Sequence, residues 1–169
     1  MSQQITADYL RSILNQTPNT QENQSVIAAL QQAIKDASVW RKPFTYATSF
    51  LALAAASTVT NNIAIQADAD FLILAQTYAA DVAAAGQTVQ TATNPLANVL
   101  LINTGTGENL MNQALPVTDI FGSGQFPFIL PQPILLPARS NLAVQVNNRD
   151  AAQTYNLFLN FIGVKLYSA

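Results

Sequence analysis

Asp68 and Asp70 form the one close pair of carboxylates in the chain, two residues apart in QADADFLI. Side chains two apart on a strand share a face, so the pair offers oxygens to Ca²⁺ or an acid beside a base. A calcium site needs further oxygen ligands, and acid–base work needs a shaped pocket. Hydrolysis of a glycoside uses two acids alone, but their separation is set in space and not by spacing along the chain. Tyr46, Trp40 and Tyr78 add aromatic faces, which with Asp68 and Asp70 around Ca²⁺ would make a glycan-binding module. Core packing is the other fate of aromatic residues in a sandwich. Arg149 and Asp150 lie side by side in the polar stretch NNRDAAQ, where a solvated turn accounts for them. Trp40, Arg41, Lys42 and Pro43 could touch phosphate or an acidic partner, yet two cations at a helix end also suit the helix dipole. The Gly-Thr-Gly at 105–107 and the Gly-Ser-Gly at 122–124 lack phosphate-loop spacing and a following lysine, so both are expected to be turns.

The composition removes most other chemistry. The 169 residues include no histidine and no cysteine, which excludes Ser-His-Asp and Cys-His catalysis and zinc–thiolate sites. We therefore expect a protein that is not an enzyme and has no catalytic residues, metal or cofactor. Charged residues make up 9% of the chain and hydrophobic ones 50%, where soluble domains usually carry about 25% charge. The surface must then be Gln, Asn, Thr, Ser and Ala, and a surface so poor in ions is expected to be covered by other chains. Seven scattered Lys and Arg and a net charge of -2 make neither a basic stripe for nucleic acid nor a patch for anionic lipid. The first residues lack the pattern of a secretory signal, and the most apolar window, Phe50 to Ala56, is far short of the roughly 18 residues that span a bilayer.

The elements that would position these groups are organised around FPFILPQPILLPARSNLAVQV, Phe126 to Val146. Pro127, Pro131, Pro133 and Pro137 exclude a helix and cannot donate to a ladder, so the run is expected as an edge strand or a covered extended crossing. Leu142, Val144 and Val146 then alternate as in a half-buried strand. Phe44 to Ala56 gives an earlier strand. A single strand is predicted from Val59 through Ile63 and Ile65 to Phe71 and Ile73, with Gln66, Asp68 and Asp70 on its polar face. Ala79 to Gln90 reads as a small-residue loop or short helix, and Asn98 to Asn103 as a strand, with extension resuming at Asn109 to Met111. In TYNLFLNFIGVKLY, Tyr155, Leu157, Leu159 and Phe161 share one face, and Gly163 is placed to shift the register as a bulge. The turn NNRDAAQ would join it to the preceding strand as a hairpin. The whole predicts an all-β, two-sheet jelly-roll or Greek-key β-sandwich of about eight strands over residues 43–169.

Residues 1–42 differ. Val26, Ile27, Leu30, Ala33, Ile34 and Ala37 fall on one face of a helical repeat and Gln31, Gln32, Lys35 and Asp36 on the other. This predicts an N-terminal helical arm, packed either on its own domain or on a neighbouring subunit. The candidate subunit contacts are Val26, Ile27, Leu30 and Ile34 of the arm, Trp40 at the junction, and Phe126, Phe128, Ile129, Leu130, Ile134 and Leu135 of the proline run.

From Ile63 onward the order IQADADFLI, then NTGTGENLMNQALPVTDIFGSGQFPFILPQPILLPARSNLAVQVNN, then YNLFLNFIGVKLY resembles the small jelly-roll auxiliary (decoration or cement) capsid proteins of tailed bacteriophages. It is a likeness of order and not of a signature motif, and it leaves the first 62 residues uncovered. The resemblance implies a homotrimer on the outer surface of a virion, clamping neighbouring subunits of the major capsid protein, with no cofactor and no activity. A tail, collar or fibre-anchoring component would share the same composition.

Overall fold

The computed structural model describes residues 39–83, 92–105 and 107–168. Its strands are β1 Val39–Leu53, β2 Thr58–Ala64, β3 Asp70–Val82, β4 Ala97–Asn103, β5 Glu108–Asn109, β6 Leu115–Pro116, β7 Phe128–Leu136, β8 Asn141–Asn148 and β9 Tyr155–Ser168. A single helical turn, α1, spans Val117–Ile120 between β6 and β7. The strands form two antiparallel sheets, ordered β1-β9-β3-β7 and β2-β8-β4-β5, with β6 also on β4. β5 and β6 are pieces of one strand position, opposite Ile102 to Asn103 and Asn98 to Val99 of β4. The expected all-β build of two sheets is therefore present.

The pairings nest. β4 pairs with β5 and β6, β3 with β7, β2 with β8, and β1 with β9, so the second half of the chain retraces the first in reverse. Alternation puts one apolar row from each strand between the sheets: Phe50 from β1, Phe71 and Ile73 from β3, Leu101 from β4, Leu142, Val144 and Val146 from β8, and Leu157, Leu159 and Phe161 from β9. Aromatic edges meet aromatic faces within this core, with Phe121 and Phe161 at 5.6 Å and Tyr46 and Phe71 at 4.8 Å between ring centroids. Val117, which opens α1, and Phe121, which follows it, are buried there too, so this connection crosses the sandwich as one tight turn.

The proline run lies where its chemistry requires, as the edge strand β7. Ile134 pairs with Ile73 and Ile129 with Ala75, so the residues from Leu130 to Pro133 bulge out opposite Leu74 and the two prolines sit where no ladder donor is needed. β3 carries the matching irregularity against β9. Ile73 pairs with Gly163 and Ala75 with Ile162, which makes Leu74 the extra residue. The bulge predicted at Gly163 is thus in β3, and the glycine is what the bulge leans against.

Several expectations need correction. Trp40, Arg41 and Lys42 are not at a helix end; they lie in β1 opposite Tyr167, Leu166 and Lys165, because β9 is long enough to offer them ladder bonds. The first described strand accordingly begins at Val39. Val59 to Ile73 is two strands: the chain turns at Ala67 and Asp68 and moves from one sheet to the other. β8 and β9 are not a hairpin, since β8 lies between β2 and β4 while β9 lies between β1 and β3. Leu110 and Met111 are not part of β5, which ends at Asn109, although the Leu110 amide still donates to the Leu101 carbonyl of β4. β3 continues through Ala79 to Val82, and the remainder of the small-residue stretch, like the arm with Val26, Ile27, Leu30 and Ile34, falls outside the described residues.

Candidate functional site

The two aspartates do not share a site. Asp70 opens β3, and its Oδ1 accepts from the Ala138 amide at 2.8 Å, fixing the turn between β7 and β8. Asp68, in the preceding corner, takes the Nζ of Lys165 at 2.9 Å and accepts from the Tyr167 hydroxyl at 3.3 Å. Lys165 is on the core-facing row of β9 and only 2% exposed, with its ammonium also donating to Gln66 Oε1 and lying 4.5 Å from the centre of the Phe44 ring. Tyr46 closes the same end, its hydroxyl accepting from the Gln66 amide. The arrangement is a capped cation at the rim of the core, and its polar groups satisfy one another. Tyr78 donates to Asn94 Oδ1, so two of the three aromatic groups considered for sugar stacking are held by the fold. Trp40 is placed by its backbone in β1 opposite Tyr167. No three metal-ligating side chains come together among the described residues.

The ion pair has a pH signature. The Lys165 hydrogen bond holds the Asp68 carboxyl below its ordinary range. Burial is the largest single influence and lowers Lys165, but the Asp68 hydrogen bond and the charge interactions with Tyr46, Asp68 and Tyr167 together outweigh it, and Lys165 ends above its ordinary value. Asp68, depressed in the fold, stabilises above the unfolded carboxyl value of about 3.9 and loses that contribution as the pH falls through its folded value. Lys165, raised in the fold, contributes below about 10.4 and loses its share as the pH rises through its folded value. The urea midpoint of Asp68→Asn should therefore lie below that of the wild type at neutral pH and converge with it in acid. Midpoints that stay equally far apart at pH 3 would contradict the assignment.

Asp150 is likewise occupied. It accepts from the amides of Ala152 and Gln153 and from the Tyr155 hydroxyl at 2.7 Å, and the Tyr155 bond leads in holding its carboxyl low. It organises the crossing from β8 to β9 instead of being the simple solvated turn residue expected. Beside it, Asn148 is fully buried; its Nδ2 donates to the carbonyls of Leu53, Ala54 and Gln153, and its Oδ1 accepts from the Asp150 amide. Parity carried the signal for both hidden polar residues, because Asn148 continues the inward row Leu142, Val144, Val146 and Lys165 continues the row from Tyr155 to Phe161.

Exposed ions remain at Lys42, Asp119, Arg139 and Arg149, but one sheet face carries none. No residue of β2, β4 or β8 is charged. Their outward row shows Thr58, Thr60 and Asn62, then Asn147, Gln145 and Ala143, then Asn98, Leu100 and Ile102, by the register of the sheet. Asn147 Nδ2 donates to Thr58 Oγ1 and Gln145 Nε2 to Thr60 Oγ1, which ties the polar side chains flat along the sheet. On the proline edge, Phe126 is 78% exposed and Leu135 50% exposed, whereas Phe128 and Ile129 are half-buried and Leu130 and Ile134 pack against the core. Phe126 and Leu135 are the most open of that group.

No family model and no curated protein matches the chain. Among solved structures it is similar to dimeric latent PorU from Porphyromonas gingivalis, with 10% identity and a TM-score of 0.37 over 78% of this chain and 13% of that one. It is also similar to the infectious bursal disease virus VP2 subviral particle, with 11% identity and a TM-score of 0.31 over 79% of this chain and 38% of that one. The chain thus spans a minor part of either neighbour, and at this distance neither neighbour's role passes to it.

Proposed function

We propose that the chain is a non-enzymatic structural protein of a virion: a jelly-roll decoration or cement protein that acts as a homo-oligomer on the capsid surface and bridges major capsid subunits. The observation that carries this reading is the outer face of β2, β8 and β4, three adjacent strands without one charged residue. Ions on a free surface keep copies apart; a sheet face of Thr, Asn, Gln, Leu and Ile loses little on being covered. The nested strand order agrees with a jelly roll. The sequence order from Ile63 onward supplies the likeness to auxiliary capsid proteins.

Magnitudes suggest how such a surface is used. Three strands of seven or eight residues cover roughly 23 by 14 Å, or about 300 Å² of flat area. A stable interface takes about 800 Å² from each partner. One face is too small alone, so a second contact through the proline edge, with Phe126 and Leu135, fits a protein that touches more than one neighbour. Prolines there reduce the entropy lost on ordering that edge.

Sedimentation of the full chain, with pelleting on empty shells, tests the reading. We expect an oligomer that pellets with shells at a copy number covering the whole particle. A few copies at one vertex would instead indicate a tail, collar or fibre-anchoring part. A monomer at every concentration that leaves shells unbound would overturn both. Gln145→Glu places a carboxylate at the middle of the uncharged face, opposite Thr60 and Leu100. Desolvating that charge should weaken assembly by about tenfold or more, while the urea midpoint of the chain changes little.

A further inference from the structure

The outer edges of the two sheets are not alike. β7 carries Pro131 and Pro133 out of the ladder, and β5 and β6 are two residues long each. Along β1, Lys42 is exposed, Pro43 has no amide to give, and the Asn61 side chain donates to the Ser49 carbonyl at 2.9 Å. Prolines, lysines, short strands and covering groups are the ordinary means of keeping a sheet edge from pairing with another chain. β2, with the sequence TVTNNIA, contains no proline and no charge, and its register against β8 runs without a bulge.

The Asn148 amide donates to the Ser57 carbonyl and the Ile65 amide to the Ser140 carbonyl, so residues of odd number in this stretch bond towards β8. Alternation of the antiparallel ladder turns the amides and carbonyls of Thr58, Thr60, Asn62 and Ala64 the other way. These residues are all exposed, and among the described residues their main chain meets no backbone partner on that side. The side chains of Thr58 and Thr60 do not screen the edge, because Asn147 and Gln145 hold them back towards β8. Val59 adds an apolar mark: it lies opposite the buried Val146, on the row that faces the core, yet it is 41% exposed.

We propose that β2 pairs with β2 of a second copy of this chain, antiparallel about a two-fold axis at Asn61. This register engages the whole open edge, with Thr58 opposite Ala64 of the second copy and Thr60 opposite its Asn62, for about eight ladder bonds in all. An axis at Thr60 or at Asn62 leaves one end of the strand unmatched. The pairing also sets Val59 beside Ile63 of the second copy.

A copy of this chain fits the edge better than another partner in two respects. An antiparallel strand that meets itself brings each charge near its own kind, so self-pairing is hindered by Lys, Arg, Asp and Glu, and β2 has none. The second respect is area. The pairing makes the outer face of β4, β8 and β2 continuous with that of the second copy, so an uncharged surface of about 300 Å² becomes one of about 600 Å², against the roughly 800 Å² that a stable contact takes from each partner. The pairing rests on the homo-oligomer reading above and names the strand through which copies meet.

The chain has no cysteine, so introduced thiols report without background. Full-length Thr60→Cys and Asn62→Cys chains, one of them tagged to shift its mass, should give mainly the mixed covalent dimer on mixing and oxidation. Either variant dimerising with itself as the main product would overturn the proposed register, and no covalent dimer would overturn the pairing. Asn62→Pro removes an amide that the chain's own sheet does not use, so the urea midpoint should move little while self-association in sedimentation weakens about tenfold or more. Association indifferent to Asn62→Pro would leave a homo-oligomer of another kind and overturn this edge. A dimer that is lost with Asn62→Pro but leaves empty shells unbound would support the pairing and overturn the virion role.

Discussion

Replacing Asn148 by alanine is expected to cost about 3 kcal/mol of stability, near one for each carbonyl left without its donor. The melting temperature should fall by roughly 10 °C. The side chain is fully buried and its Nδ2 shares two hydrogens among the carbonyls of Leu53, Ala54 and Gln153. These belong to the end of β1, the turn after it and the crossing into β9, and the Asn148 backbone amide adds a bond to Ser57. One side chain thus joins both sheets at that end of the sandwich. Asn148→Asp keeps the shape and should be worse at neutral pH, because a carboxylate would face three carbonyl oxygens with nothing to donate. Its own pKa would be raised in the folded state, so the folded form would bind the extra proton more readily than the unfolded one, and stability would rise as the pH falls. Denaturation midpoints from pH 7 to 4 test this. A midpoint for Asn148→Asp that drops in acid, or an alanine variant as stable as the wild type, would show that the hub carries little of the fold.

The parts of this architecture that a local pattern can specify were legible. Four prolines among bulky apolar residues predicted an extended edge segment, and β7 is that edge. The inward row of β9 from Tyr155 to Phe161 follows from alternation alone. What alternation cannot specify is a change of sheet. Ile63, Ile65, Ala69, Phe71 and Ile73 keep the same parity through the corner at Ala67 and Asp68, so two strands facing each other look like one long strand. The corner has no glycine or proline to mark it. It is held by long-range bonds instead, from the Ile65 amide to the Ser140 carbonyl and from Lys165 to Asp68.

The false hairpin has the same origin. NNRDAAQ is as polar as a hairpin loop, but β8 has both edges taken by β2 and β4, and β9 by β1 and β3. Which strands compete for an edge is a property of the whole chain. The same holds for the candidate site: Asp68 and Asp70 look paired because they are close in sequence, and they part because a turn between them sends one to Lys165 and the other to Ala138. The uncharged strands β2, β4 and β8 could be read residue by residue; that they are adjacent, and so form one face, could not.

Gly163→Ala should be strongly damaging for a single added methyl. A Cβ at this position would lie 2.0 Å from the Leu72 carbonyl oxygen and 3.0 Å from the Phe71 ring. The first contact is with backbone, which cannot rotate aside. β9 pairs on both sides here, Phe44 on one and Ile73 on the other, so the strand cannot shift without breaking a ladder. Relief would require flattening the bulge at Leu74, and with it the offset that lets β7 carry Pro131 and Pro133 out of the ladder. Overpacking a core usually costs 1–3 kcal/mol, and this site should reach about 3 or fail to give soluble protein. Gly124→Ala is the matched control, since a methyl there meets nothing within 4 Å, and it should stay within about 0.5 kcal/mol of the wild type. Urea melts of the two variants side by side decide the point: if Gly163→Ala unfolds at the same midpoint as Gly124→Ala, the close approach of β3 to β9 is not what sets the register of this sheet.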